Sequence, residues 1–169
     1  MGKIIISGTG RTGTTFLMQM FIRLGMDTGF TEEDITDEPG LEWNLLNWEP
    51  RILKSPLFCA DARKLVDTVD IDYLIIPVRD IVEVAHSRRK RGDKDGGLWG
   101  TKCPSEQEDV LLKYFHNLCL EASKKDIPVI FINYPKSIRD SQYLYGKLKP
   151  ILGTGYKEFE KIFNQTVKK

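Results

Sequence analysis

The stretch that decides the fold is KIIISGTGRTGTTFL, residues 3–17. It begins with a lysine and an isoleucine run typical of a buried strand. Residues 7–13 then mix glycine with hydroxyl and basic side chains, and the apolar spacing of a helix follows from Gly13. A turn of this kind aligns backbone N–H groups with the positive end of a helix dipole, and together they hold a phosphate or sulfate. We therefore expect an anion-binding loop between a first strand and a first helix.

Length and charge limit the partners that this chain can attract. Its 169 residues suit a single domain covering 1–169, which can bury about 70% of the surface of the unfolded chain. Lysine and arginine number 25 and aspartate and glutamate 24, so the net charge is +1. Such a balance gives no overall field for nucleic acid or an anionic membrane, and we expect neither as a partner. Any attraction for anions must then be local.

The cysteines and the N-terminus favour a cytoplasmic protein. Cys59, Cys103 and Cys119 lack the CxxC spacing of metal and redox motifs, so we expect reduced thiols and no metal site. The apolar run at residues 4–6 is far too short for a secretory or membrane-spanning segment. Localisation in the cytoplasm is the resulting prediction.

Apolar runs and helical periodicities alternate along the chain. Continuous apolar runs indicate further strands over residues 51–54, 72–78 and 128–133. Helical spacing, N-caps and glycine stops predict helices over residues 13–24, 59–66, 81–91, 104–125, 137–148 and 156–167. This alternation predicts an α/β fold of three layers, α/β/α, with a four- or five-stranded parallel sheet of the P-loop NTPase type.

Ligands of such folds bind at the carboxyl ends of the strands. The residues in that position are the segment from Ser7 to Thr15, and then Lys54, Arg79 and Tyr134. These residues are therefore the first candidates for a functional site.

The first of these segments is close to a nucleotide-binding P-loop but departs from it at one position. That motif reads GxxxxGK[ST], with its lysine on the phosphates and its hydroxyl on magnesium. Gly8 and Gly13 have the required spacing, but Thr14 stands in place of the lysine. This replacement argues against an ordinary ATPase or kinase. Arg11 is the basic group of the loop, and it suits an anion that needs no magnesium.

Two motifs carry a family resemblance. The segment from Ser7 to Thr15 resembles the 5′-phosphosulfate loop of sulfotransferases that use 3′-phosphoadenosine 5′-phosphosulfate (PAPS). Arg79 ends a strand and Ser87 follows eight residues later, which is similar to the family's motif for the 3′-phosphate. Tyr134 resembles the family tyrosine that contacts the adenine. The binding residues implied by this resemblance are Gly8, Thr9, Gly10, Arg11, Thr12, Gly13, Thr14, Thr15, Arg79, Ser87 and Tyr134.

The resemblance implies transfer of a sulfonate from PAPS to a hydroxyl or amine of a small-molecule or carbohydrate acceptor, leaving adenosine 3′,5′-bisphosphate. Such a transfer requires the protein to align the two reactants and to neutralise the negative charge that develops on the bridging oxygen. We expect Arg11 to provide that neutralisation. Lys54 resembles a second family lysine near the transferred sulfonate, although a structural salt bridge is an equal alternative for it.

The reaction also needs a base for the acceptor proton. Cytosolic family members use a histidine shortly after the second lysine, but residues 55–57 contain none. Carbohydrate-type members use a glutamate after the first helix, where this chain has Glu38 and Glu42. Both are candidates for the base, and Glu42 ranks slightly ahead because its apolar neighbours Leu41 and Trp43 favour partial burial, which raises the pKa of a carboxylate toward a working value.

Several alternatives stay open at this stage. The chain is alternatively a magnesium-dependent P-loop kinase of small molecules, or a nucleotide-binding module without turnover, as the missing histidine suggests. The basic run at residues 88–91 is expected to be a solvated helix end, and His86 and His116 are expected to be surface or packed imidazoles without a catalytic role. Trp43, Trp48 and Trp99 are candidates for the lining of an acceptor pocket, although core anchors are the simpler interpretation of the first two.

Overall fold

The computed structural model describes residues 1–36, 40–42, 49–92, 94 and 96–167. Within these ranges, four strands form one sheet in the order β2-β1-β3-β4, and all neighbours are parallel. The fold class predicted from the sequence is confirmed. The strands are β1 Lys3–Ile6, β2 Ile52–Lys54, β3 Ile71–Val78 and β4 Val129–Asn133.

Helices connect the strands, as parallel neighbours require. Among the described residues, none of the helices is both long and apolar enough to cross a membrane. Single 3₁₀ turns occur at Glu32–Asp34 and Pro104–Glu106. The helices are α1 Thr14–Arg23, α2 Leu57–Ala60, α3 Ala62–Thr68, α4 Ile81–Arg91, α5 Gln107–Lys124, α6 Tyr134–Ser137, α7 Ser141–Leu148 and α8 Tyr156–Val167.

The sheet is covered on both faces because its buried side chains alternate. Ile4 and Ile6 of β1 belong to a core that includes Leu17 of α1, Leu144 of α7 and Phe159 of α8. The intervening β1 side chain points to the opposite face. One helical layer of the three-layer arrangement is therefore built from α1, α7 and α8.

The second helical layer covers the other face of the sheet. Ile5 of β1 and Leu74 of β3 pack with Phe58 of α2, Leu65 of α3 and Leu118 of α5. The α4 helix packs against α5 at the edge of this layer. The anion loop and the start of α4 thus lie at the same edge of the sheet, after β1 and β3.

Two predicted helices differ from the observed ones in their bounds. The helix expected over residues 59–66 is divided into α2 and α3, which are separated at Asp61. The helix expected over residues 137–148 begins only at Ser141 as α7, because the Asp140 carboxylate accepts a hydrogen bond of 2.8 Å from the Tyr143 N–H, and α6 is a separate turn that shares only Ser137 with the predicted range. Aspartate competes with the backbone in this way, and it therefore favours an N-cap over a helix interior.

Candidate functional site

The anion loop, residues 7–13, leaves β1 in a conformation that L side chains rarely adopt. Gly8, Gly10 and Gly13 have φ angles of 148°, 67° and 89°, and Arg11 has a φ of 55°. The α1 helix begins without a side-chain cap and without an acidic residue in its first turn. Its positive end is therefore left to attract an anion.

Two side chains from distant parts of the chain pack against this loop. A Cβ atom at Gly10 would collide with the guanidinium of Arg88, and a Cβ atom at Gly13 would collide with the ring of Tyr134. Glycine is therefore required at both positions by close approach as well as by positive φ. Tyr134, which the sequence predicts as a binding residue, thus lies against the start of α1.

Arg11 meets Ser87 at this loop. The Nε–H of Arg11 donates a hydrogen bond of 3.1 Å to the hydroxyl oxygen of Ser87 on α4. Burial lowers the pKa of Arg11, and the nearby Arg91 and Arg79 lower that pKa further, whereas Tyr134 acts in the opposite direction. Several like charges held this closely mark a site that favours an anion.

Arg79 follows β3 directly and lies beside Tyr134. Its Cζ atom is 5.9 Å from the centre of the Tyr134 ring, and its Nε–H donates to the Glu83 carboxylate at 2.8 Å. Asp80 caps α4 by accepting hydrogen bonds from two N–H groups of the first turn. This cap fixes the start of the helix that carries Ser87. Ser87 contacts Arg11, Arg79 contacts Tyr134, and the charges of Arg79 and Tyr134 act on Arg11, so the fold brings these four residues together.

Lys54 is fully buried at the end of β2. Its Nζ lies 3.2 Å from the Glu42 carboxylate and 3.2 Å from the Thr15 hydroxyl, and it also donates to the Gly40 carbonyl. Burial lowers the pKa of the Lys54 ammonium, and the Glu42 carboxylate partly offsets this effect. The Glu42 side chain is 43% exposed. Glu38 lies outside the described residues.

A cleft of about 460 Å³ lies between Arg11 and Glu42. Lys54, Arg79, Ser87 and Tyr134 are not part of its lining, and Arg79 lines a separate pocket with Thr9 and Thr12. The anion loop and the start of α1 form one wall. Phe30, Leu41 and Pro56 provide apolar surface elsewhere in the lining. The described residues that line the cleft are Gly10, Arg11, Thr14, Thr15, Phe30, Gly40, Leu41, Glu42, Pro56, Arg88 and Gly96.

The prediction that residues 88–91 form a solvated helix end is wrong for Arg88, which is buried. Its side chain is only 4% exposed, and it donates hydrogen bonds to the carbonyls of Thr9 and Gly97. Helical spacing contained a signal for this burial, because Arg88 follows the buried Val84 and Ala85 by four and three residues. The positive charge of residues 88–91 predicted exposure instead.

His86, His116 and Trp99 do not line the cleft. His86 and His116 are exposed, which is one of the two placements that the sequence left open. Trp99 packs against the ring of Tyr114 with a centroid distance of 4.7 Å. Trp43 and Trp48 lie outside the described residues.

Neither metal chemistry nor comparison with other proteins identifies the site. Within the described ranges, no group of three or more histidine, cysteine, aspartate or glutamate residues could hold a metal ion. Comparisons with protein-family models, curated proteins and solved structures found no match. The function must therefore be argued from the cleft and its side chains.

Proposed function

We propose that this chain is a sulfotransferase that moves a sulfonate from PAPS to a hydroxyl or amine of a small acceptor. The observation that carries the proposal is the hydrogen bond between Arg11 and Ser87, with Arg79 and Tyr134 beside them. These four residues come from three different strand ends and from α4. Because two arginines and a tyrosine ring lie together at the anion loop, they support a ligand that has two anionic groups and a flat ring.

Each part of the donor has candidate partners in this arrangement. The amides of the anion loop and the guanidinium of Arg11 suit the 5′-phosphosulfate end. Arg79 suits the 3′-phosphate, and Ser87 can assist it, since its hydroxyl oxygen accepts from Arg11 and its proton is left to donate. The Tyr134 ring suits the adenine.

The transfer itself requires one bond to form and one to break. The acceptor oxygen or nitrogen bonds to sulfur, the bond from sulfur to the bridging oxygen breaks, and the acceptor proton goes to the Glu42 carboxylate. Arg11 and Lys54 offset the negative charge that collects on the 5′-phosphate. The Glu42 carboxylate lies 3.2 Å from the Lys54 ammonium, so the two groups proposed for these roles are neighbours.

The nature of the nucleotide provides the test of this proposal. We expect adenosine 3′,5′-bisphosphate to raise the melting temperature, because a ligand at 100 times its Kd adds about 2.7 kcal/mol of stability. ATP with magnesium is the comparison, since Thr14 replaces the lysine that a kinase uses. Stabilisation by ATP with magnesium, and none by the bisphosphate, would overturn the sulfotransferase and favour the kinase.

A nucleotide-binding module without turnover is the second candidate. It is favoured by the contact between Lys54 and Glu42, because each of these candidate catalytic groups already has the other as a partner. The module would bind the bisphosphate equally well. Release of bisphosphate from PAPS in the presence of small alcohols and amines distinguishes the two, since only the enzyme accelerates it.

A further inference from the structure

We propose that Arg88 is a positioning residue that fixes the shape of the anion loop and thereby sets its affinity for the nucleotide. The identity of that nucleotide rests on the proposed function. The role of Arg88 in shaping the loop rests on its own contacts with Thr9, Gly97 and Trp99.

The first contact is a forked pair of hydrogen bonds to one carbonyl. The Nε–H and an Nη2–H of Arg88 donate to the Thr9 oxygen at 3.2 Å and 2.6 Å. Thr9 stands between Gly8 and Gly10, which both have positive φ and so add little stiffness of their own. In a planar trans peptide the N–H points opposite to the C=O, so holding the Thr9 oxygen also fixes the direction of the Gly10 N–H.

The second contact joins Arg88 to the glycine-rich segment after α4. An Nη1–H of Arg88 donates to the Gly97 carbonyl at 2.7 Å, and its Cζ atom lies 5.0 Å from the centre of the Trp99 ring. Gln107 in turn holds Trp99, because its amide accepts from the Trp99 N–H at 2.7 Å and donates to the Trp99 carbonyl at 2.9 Å. Arg88 is thus clamped between the anion loop and a segment anchored on α5.

A guanidinium suits this position better than an ammonium does. Its planar fork can bind the Thr9 carbonyl twice and still reach Gly97, whereas the single nitrogen of a lysine cannot reproduce that geometry. Burial, together with the nearby Arg11, lowers the pKa of Arg88 to about 10, so the group remains cationic at neutral pH. The anion loop therefore has a buried positive charge behind it.

The decisive variant is Arg88→Lys, with Arg89→Lys as its matched control. Arg89 belongs to the same basic run but pairs with Glu108 at 3.0 Å, away from the loop. We expect Arg88→Lys to speed amide hydrogen exchange in residues 8–13 about tenfold and to weaken bisphosphate binding about tenfold, because hydrogen bonds to a charged group are lost. Arg89→Lys should change neither measurement.

The two measurements can fail separately. If exchange in residues 8–13 matches the wild type in Arg88→Lys, or rises equally throughout β1 and β3, the positioning role is wrong. If the wild type does not bind the bisphosphate, the proposed function fails, and exchange still decides the role of Arg88. Should Arg88→Lys not fold, Trp99→Leu replaces it, since loss of the ring should loosen Arg88 and raise exchange in the same residues.

Discussion

The Nε of Arg11 lies 3.1 Å from the hydroxyl oxygen of Ser87, so one hydrogen bond joins the anion loop to α4 across 76 residues of sequence. Arg11 has a φ of 55°, a conformation that is uncommon for residues other than glycine. Unfavourable backbone conformations persist where surrounding contacts stabilise them, and they concentrate at functional sites. Ser87 thus orients the guanidinium that we assign to the transferred group.

Removal of this contact is the first prediction. Ser87→Ala should weaken binding of adenosine 3′,5′-bisphosphate about tenfold, because a hydrogen bond to a charged group is lost. The free energy of unfolding should change by less than about 0.5 kcal/mol. Isothermal titration and urea unfolding measure the two quantities. Ser123→Ala on the exposed surface of α5 is the control, and an equal loss of affinity there would contradict the assignment.

Arg79 is the subject of the second prediction. Arg79→Ala should reduce bisphosphate affinity about a hundredfold, since a charged phosphate contact contributes about 3 kcal/mol. Its ion pair with Glu83 is partly exposed, and such pairs contribute only about 0.2–1 kcal/mol to stability. The melting temperature should therefore change little while the affinity falls.

Glu83→Gln separates the two roles of Arg79. This variant removes the ion pair but leaves the guanidinium in place. Bisphosphate affinity should stay the same or increase, because Arg79 loses a competing carboxylate. If Glu83→Gln weakened binding as strongly as Arg79→Ala, the ion pair rather than the phosphate contact would explain both results.

Close packing at the start of α1 leads to the third prediction. Gly13→Ala should destabilise the fold by at least about 2 kcal/mol, because a Cβ atom meets both a positive φ and the Tyr134 ring. Gly146→Ala on α7 is the opposite case, since no atom lies within 4 Å of its Cβ position. It should stabilise the fold by about 0.5–1 kcal/mol. Urea unfolding measures both, and equal effects would contradict this interpretation.

Much of this fold is predictable because parallel strands covered on both faces are continuous apolar runs. The run over residues 72–78 differs from β3, Ile71–Val78, by one residue at one end. The predicted helix over residues 137–148 starts too early because the Asp140 carboxylate caps α7, while apolar spacing continues across that position. Asp61 interrupts the helix predicted over residues 59–66 with a φ of −104° and a ψ of 35°, and its side chain makes no cap hydrogen bond. Both boundaries therefore depend on the conformation of one residue, which periodicity does not reveal.

The site was predictable only where topology alone decides proximity. Arg11 and Arg79 follow neighbouring parallel strands, so their meeting follows from strand order. The burial of Arg88 depends on Thr9 and on Trp99, which the fold brings to it from either side. The pair between Lys54 and Glu42 depends on the path of a loop, which periodicity does not specify.

The base assignment gives the fourth prediction. Glu42→Gln should lower the rate of sulfonate transfer about a hundredfold or more, because general base catalysis contributes about 10²–10⁴. Bisphosphate affinity should remain near the wild-type value, since Glu42 contacts Lys54 and not the loop amides. Glu38→Gln is the matched variant. If Glu38→Gln alone abolished transfer, Glu38 would be the base and Glu42 a partner of Lys54.

The buried ammonium of Lys54 gives the last prediction, which concerns pH. Because burial lowers the pKa of Lys54 below its ordinary value of 10.5, the unfolded chain binds more protons than the folded chain between the two pKa values. The free energy of unfolding should therefore rise with pH across that window in the wild type, relative to Lys54→Met. At neutral pH the variant should be as stable as the wild type or more stable, since it removes a buried charge and leaves Glu42 partly solvated.

Urea unfolding at about pH 7.5 and about pH 10 measures this difference, with the exposed Lys157→Met as the control. A difference that does not change with pH would show that Lys54 titrates like any exposed lysine, and its assignment as a buried cation beside the transferred group would be wrong.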